Sequence, residues 1–195
     1  VVSSSSGLAK GVITRPETLH ISYCHTPTRY LWSDTHSYVE DSSFPRALKS
    51  LIPFALVNMR VWDRLTADRV DRFIANSSTV RARIWKYYRR ESDVIPPPVD
   101  LSAFSIAPKQ DNFYLIGGRL VPYKRFDIAI KAFSNLGIPL KVFGEGPILN
   151  RLREMAKPNI EFLGRVDDKT RTELYQKCVA FIHPHEEDFG ITAIE

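Results

Sequence analysis

The chain has 195 residues, 44% of them hydrophobic, and a formal net charge of +5. That is enough apolar material to bury a core in one or two domains, and it excludes a disordered chain. No run approaches the roughly 18 to 20 apolar residues of a spanning helix, and VVSSSSGLAKG lacks the regions of a signal peptide, so a cytoplasmic location is expected.

The charge is unevenly divided. Residues 1–95 hold 14 Lys and Arg against 9 Asp and Glu, whereas 96–195 hold 13 of each. The basic half suits a phosphate-bearing partner, peripheral contact with an anionic membrane surface, or simply a solvated face. Nucleic acid is not expected as a partner, because no glycine and aromatic RNA signature accompanies the modest excess. Cys24 and Cys178 have neither redox nor zinc spacing and are read as reduced, buried thiols.

Short β-like runs at Val1–Ser5, Leu19–Cys24 and Arg72–Asn76 alternate with helical patterning, the signature of βαβ units. Between the second and third, Phe44–Val70 spaces Leu48, Leu51, Ile52, Ala55, Leu56, Met59, Trp62 and Leu65 by three and four. This predicts an amphipathic helix with a core-facing stripe, bent or restarted at Pro53. Its Lys49, Arg60, Trp62 and Arg64 would also suit a helix in a membrane interface, although an apolar stripe is more often core. NSSTVRARIWKYY then predicts a helix capped by Asn76, Ser77 or Ser78, with Val80, Ile84 and Tyr87 or Tyr88 inward.

After the strand-like Asp93–Ile95, the stretch 96–111 has four prolines and no period, and reads as a connection between domains 1–95 and 112–195. From Asn112, NFYLIGG, LKVFGEG, IEFLG and VAFIHP read as strands, and RFDIAIKAF, ILNRLREMA and KTRTELYQK as the helices between them. The expected fold is α/β, with a doubly wound parallel sheet in the second block. The first block opens directly on a strand and the second stops inside a helix-like segment, so a fragment is expected.

Ligands of such sheets bind beyond the carboxyl ends of the strands. There the first loop, GGRLVPYKR, places Gly118, Arg119 and Lys124 where two cations would suit a diphosphate. GEGP, Gly144–Pro147, is either a second ligand turn or a tight connection. The last loop, HPHEEDFGITAIE, offers Gly190 and Ile191 amides to an anion, and the carboxylates of Glu187 and Glu195 to hydroxyls such as those of a sugar or ribose. His183 and His185 in HPHEED are set aside as metal ligands, because Pro184 separates them and no further ligand set is evident.

E-x7-E with an intervening glycine, together with GGRLVPYK, resembles the donor-binding domain of the family 4 retaining glycosyltransferases of GT-B fold. SYCHTPTRYLW, Ser22–Trp32, resembles the mannosyltransferase branch that builds surface polysaccharides. The resemblance implies two Rossmann-like domains facing a cleft, the first partial and the second truncated here. It assigns Gly118, Arg119, Lys124, Gly190 and Ile191 to the donor diphosphate, Glu187 to the transferred sugar and Glu195 to the ribose. His25 matches a cleft histidine near the donor sugar, or is a satisfied structural histidine. Arg165 and Arg29 are candidate contacts to the base and the acceptor or phosphate.

The implied reaction moves a hexose, mannose from GDP-mannose, to a lipid-linked or polysaccharide acceptor with retention and without a metal or other cofactor. A UDP-sugar donor, or a fragment that binds nucleotide-sugar without turnover, are the alternatives.

Overall fold

The computed structural model describes residues 1–41, 45, 49, 51–105 and 107–195. They form two compact units, Val1–Pro98 and Val99–Glu195. Residues 99–111, read from sequence as part of a connection, group with the second unit. The Gln176 amide donates to Ser105, the Phe104 ring lies 6.1 Å from Tyr175, and the Asp111 amide donates to the Lys177 carbonyl.

In the first unit, β1 (Val2–Ser5), β2 (Ile21–Cys24), β3 (Arg72–Ala75) and β4 (Ser92–Val94) form one parallel sheet in sequential order. Helix α1 spans Thr35–Asp41, α2 Ile52–Thr66 and α3 Ser78–Tyr88. Ser77 caps α3 by accepting from the Val80 amide, and Val80, Ile84 and Tyr88 pack with Phe73, Val70 and Cys24. Both cysteines are free and buried.

Helix α2 departs from the predicted pattern. The upstream part of the expected helix, including Phe44 and Leu48, lies outside the described residues. Within α2 the stripe taken for core is largely on the surface: Ala55, Met59, Trp62 and Leu65 are exposed, as is Leu51 just before it, and Ile52 and Leu56 are half-buried. The buried positions are Asp63 and Thr66. The reason is polar. Both Asp63 oxygens are saturated, Oδ1 by Lys10 and Thr28, and Oδ2 by Trp32 and Tyr88. A buried carboxylate with four donors dictates which way the helix faces, because any other rotation would strand the charge of Lys10. The basic residues read as membrane-facing are also engaged: Arg60 donates to the Leu31 carbonyl and Thr35, and Arg64 to Asp68.

In the second unit, β5 (Tyr114–Gly117), β6 (Leu140–Phe143) and β7 (Ile160–Gly164) are parallel in the order β5-β6-β7. Between them run α4 (Phe126–Leu136) and α5 (Leu149–Met155), and α6 (Asp168–Lys177) follows β7. Leu115 and Ile116, adjacent on β5, point into different cores on the two faces of the sheet. The predicted fourth strand, VAFIHP, is reduced to a parallel bridge. Phe181 lies beside Leu115, with Leu115 donating to the Ala180 carbonyl and accepting from the Ile182 amide. This segment adds to the edge of β5 opposite β6, so the chain winds outward in one direction and then reverses. No helix among the described residues is long and apolar enough to cross a membrane.

Candidate functional site

The reversal of winding lies between β5 and the Phe181 segment. Loops leaving the carboxyl ends of two such adjacent strands run apart, one toward each face of the sheet, and leave a crevice. The loops in question are 118–124, which ends in the 3-10 turn Pro122–Lys124, and 183–190, which ends at the short helix α7 (Ile191–Ile194).

Backbone packing shapes this end of the sheet. A Cβ on Gly144 would stand 1.9 Å from the Gly118 carbonyl oxygen, and one on Gly146 would stand 2.1 Å from that of Leu120. GEGP is therefore the support under the first loop, and its glycines are needed because two backbones touch. Gly190 serves a different need: at φ +83 it makes the left-handed turn that starts α7.

The two loops are joined by a carboxylate. Glu187 Oε1 accepts from Lys124 Nζ at 3.2 Å and from His185 Nε2 at 2.6 Å, and His183 Nε2 lies 3.9 Å away. Burial would raise the Glu187 pKa, but the hydrogen bond from His185 and the charge and hydrogen bond of Lys124 outweigh it. The carboxyl is held below its ordinary range. His183 is displaced downward by burial, with His185 and Lys124 adding to the effect against Glu187, so its ring is neutral at neutral pH.

His183, His185 and Glu187 bring one ligand atom each to within 4.8 Å of one another. No further ligand for the histidines is evident in the sequence, whereas the fold supplies Glu187. The donor set is nevertheless a poor cation site. An ammonium already sits on the shared oxygen, and 2.6 Å is a hydrogen-bond separation, shorter than two ligands on one ion keep.

The other sequence candidates are spread around this cluster. Gly118 follows β5 directly, and Arg119 is exposed, its guanidinium without a hydrogen bond or ion pair to a described residue although its carbonyl accepts from the Val121 amide. Ile191 is exposed at the start of α7, and Arg165 is exposed just after β7. Glu195 makes no contact with the Lys124–Glu187 pair. Its carboxylate lies 3.9 Å from Arg171 and is mostly buried, near the Tyr175 phenol, whose pKa burial and then this carboxylate push up.

In the first unit, His25 stands exposed at the end of β2, with Nε2 2.8 Å from Ser4 Oγ and its ring edge-on to Tyr23. Arg29 is ion-paired to Asp34 at 2.6 Å within its own loop. Asp63, not singled out by any motif in the sequence, ties that loop down through Thr28 and Trp32. His185 likewise emerges as the partner of Glu187 only in the fold. An acid in mid-helix and a histidine two residues from a glutamate were the available signals, and neither predicts a contact on its own.

Residues 100–195 match the family model described as glycosyl transferases group 1. Among curated relatives, the chain is 28% identical over 145 residues to D-rhamnosyltransferase WbpZ of Pseudomonas aeruginosa, covering 65% of this chain and 38% of that protein. It is 32% identical over 92 residues to O-antigen chain mannosyltransferase C of Escherichia coli, covering 44% and 25%. The chain thus spans about a quarter to two fifths of the length of these relatives. The crystal structure of TarM superposes with a TM-score of 0.66 at 14% identity, over 95% of this chain and 36% of that one. The fold is α/β with parallel sheets, consistent with part of a GT-B architecture, and the family match covers residues 100–195, just under half of the chain.

Proposed function

We propose, from the group 1 glycosyltransferase match carried by residues 100–195, that the protein transfers a hexose from a nucleotide-sugar to a glycan or lipid-linked acceptor. The observation that carries this reading is the Lys124–Glu187 bridge across the switch point of the second sheet. A cation for a phosphate and a carboxylate for a hydroxyl stand side by side, as a sugar diphosphate requires.

Mannose from GDP-mannose is the donor we favour, supported by the relative named as an O-antigen chain mannosyltransferase. In this reading Lys124 and Arg119 engage the diphosphate, with the amides of Gly190 and Ile191 beside it, while Glu187 holds hydroxyls of the sugar. Glu195 is assigned to the ribose and Arg165 to the base. As the sugar departs with retention of configuration, charge builds on the leaving phosphate. Cations already in place stabilise it without rearrangement. The leaving phosphate accepts the acceptor's proton, so no protein nucleophile and no metal is needed, and a chelator should leave transfer unchanged. In the first unit, the resemblance assigns His25 to the donor sugar and Arg29 to the acceptor or a phosphate.

Nucleotide release from a panel of GDP- and UDP-sugars, with the intact protein, tests the reading. GDP release from GDP-mannose is expected. Release only from a UDP-sugar would replace the donor, and binding of GDP-mannose without release would reduce the chain to a binding module. Lys124→Ala and Glu187→Ala should each slow transfer roughly tenfold or more with the fold intact; unchanged rates in both would remove the site assignment.

A further inference from the structure

We propose that His185 is the positioning residue that holds Glu187 in place when Lys124 turns from the carboxylate to the donor's diphosphate. The proposal rests on the nucleotide-sugar reading above and concerns a residue to which the sequence resemblance gives no role.

Two donors share one oxygen of Glu187. Lys124 reaches Oε1 from the loop after β5 at 3.2 Å, and His185 reaches it from the same loop as Glu187 at 2.6 Å. Oε2 accepts from no described residue and is left to a ligand hydroxyl. An ammonium is a mobile point charge on a flexible stem, and a diphosphate competes for it more strongly than a single carboxylate does. Once Lys124 turns to the diphosphate, a half-buried carboxylate with no second anchor would be free to rotate and to take up a proton.

The imidazole is built to prevent this. The His185 side chain is only 6% exposed, its ring centroid is 4.2 Å from that of His183, and its ring and that of Tyr123 stand in a T-shaped arrangement. Pro184 stiffens the preceding backbone. Nδ1 is buried without a partner among the described residues, so the polar accounting assigns the proton to Nε2, which donates to Glu187. The titratable groups facing Glu187 are Lys124 from the first loop, and His183 and His185 from the second.

The test compares wild type, His185→Phe and His185→Gln in the intact protein. Three readings are taken: the Glu187 carboxyl resonance across an acid titration, GDP affinity by calorimetry, and GDP release from GDP-mannose. His185→Phe should raise the Glu187 titration midpoint, leave GDP affinity within about threefold, and lower kcat roughly tenfold, since one charge-assisted hydrogen bond is lost. His185→Gln, which retains an N–H donor, should restore most of kcat. An unmoved Glu187 midpoint, or a GDP affinity that falls as far as kcat, overturns the proposal. Wild type that binds neither GDP-mannose nor a UDP-sugar overturns the nucleotide-sugar reading and this proposal together. Wild type that turns over donor beside an equally fast His185→Phe overturns this proposal alone.

Discussion

Glu187 shows how neighbours decide what a residue is. In isolation it is an acid in a run of three, Glu186 to Asp188, a pattern that ordinarily means a solvated loop. Set against Lys124 and His185, it becomes a carboxylate whose pKa is lowered despite burial. The consequence for stability has a definite sign. A depressed pKa stabilises the fold at pH values above the unfolded value of 4.5, and the contribution is lost as pH falls through the lower folded value. Lys124→Ala should therefore move the Glu187 midpoint upward toward the unfolded value, so that less stability is lost on acidification than in wild type. Denaturant midpoints measured for both proteins through the carboxylate range check this; coincident curves would contradict it. His183 shares the direction, since its depressed pKa favours the neutral ring and costs stability only on acidification.

Elements are set by a few contacts of unequal predictability. Helix α3 follows its sequence closely: Ser77 caps it, and Ser77→Ala should cost about 1 kcal/mol in denaturant unfolding. Helix α2 does not, because its orientation depends on Asp63 and on donors from Lys10, Thr28, Trp32 and Tyr88, which are distant in sequence. Apolar spacing counts side chains along one helix, and it cannot register a cation delivered from the turn after β1. Asp63→Ala would leave the Lys10 ammonium buried and unpaired, and should destabilise the protein by about 3–5 kcal/mol. Asp63→Asn, which keeps an acceptor, should cost less, and the order of the two denaturation midpoints is the check. The fourth strand of the second unit was legible as β-like sequence. Its shortening to a bridge at Phe181 was not, since pairing length depends on how far β5 offers a free edge.

At the scale of the molecule, each unit carries its own sheet and core, and the candidate donor site lies wholly within the second. Nucleotide binding should accordingly slow amide hydrogen exchange in residues 118–124 and 183–191, and leave β1 to β4 near their unliganded rates. Protection confined to the first unit would contradict the placement. The sequence by itself determined the alternation of strands and helices, the parallel pairing that helical crossovers permit, and the loops at which Lys124 and Glu187 stand. It could do so because strand period, helix caps and glycine turns are local properties. Only the tertiary structure decided that those two loops flank the reversal of strand order, that Lys124 and His185 converge on one oxygen of Glu187, and that Asp63 outranks an apolar stripe in orienting α2. Each of these is a meeting of groups far apart in the chain or a choice between two nearby partners. Such meetings are settled by packing and by the cost of leaving a buried charge unpaired.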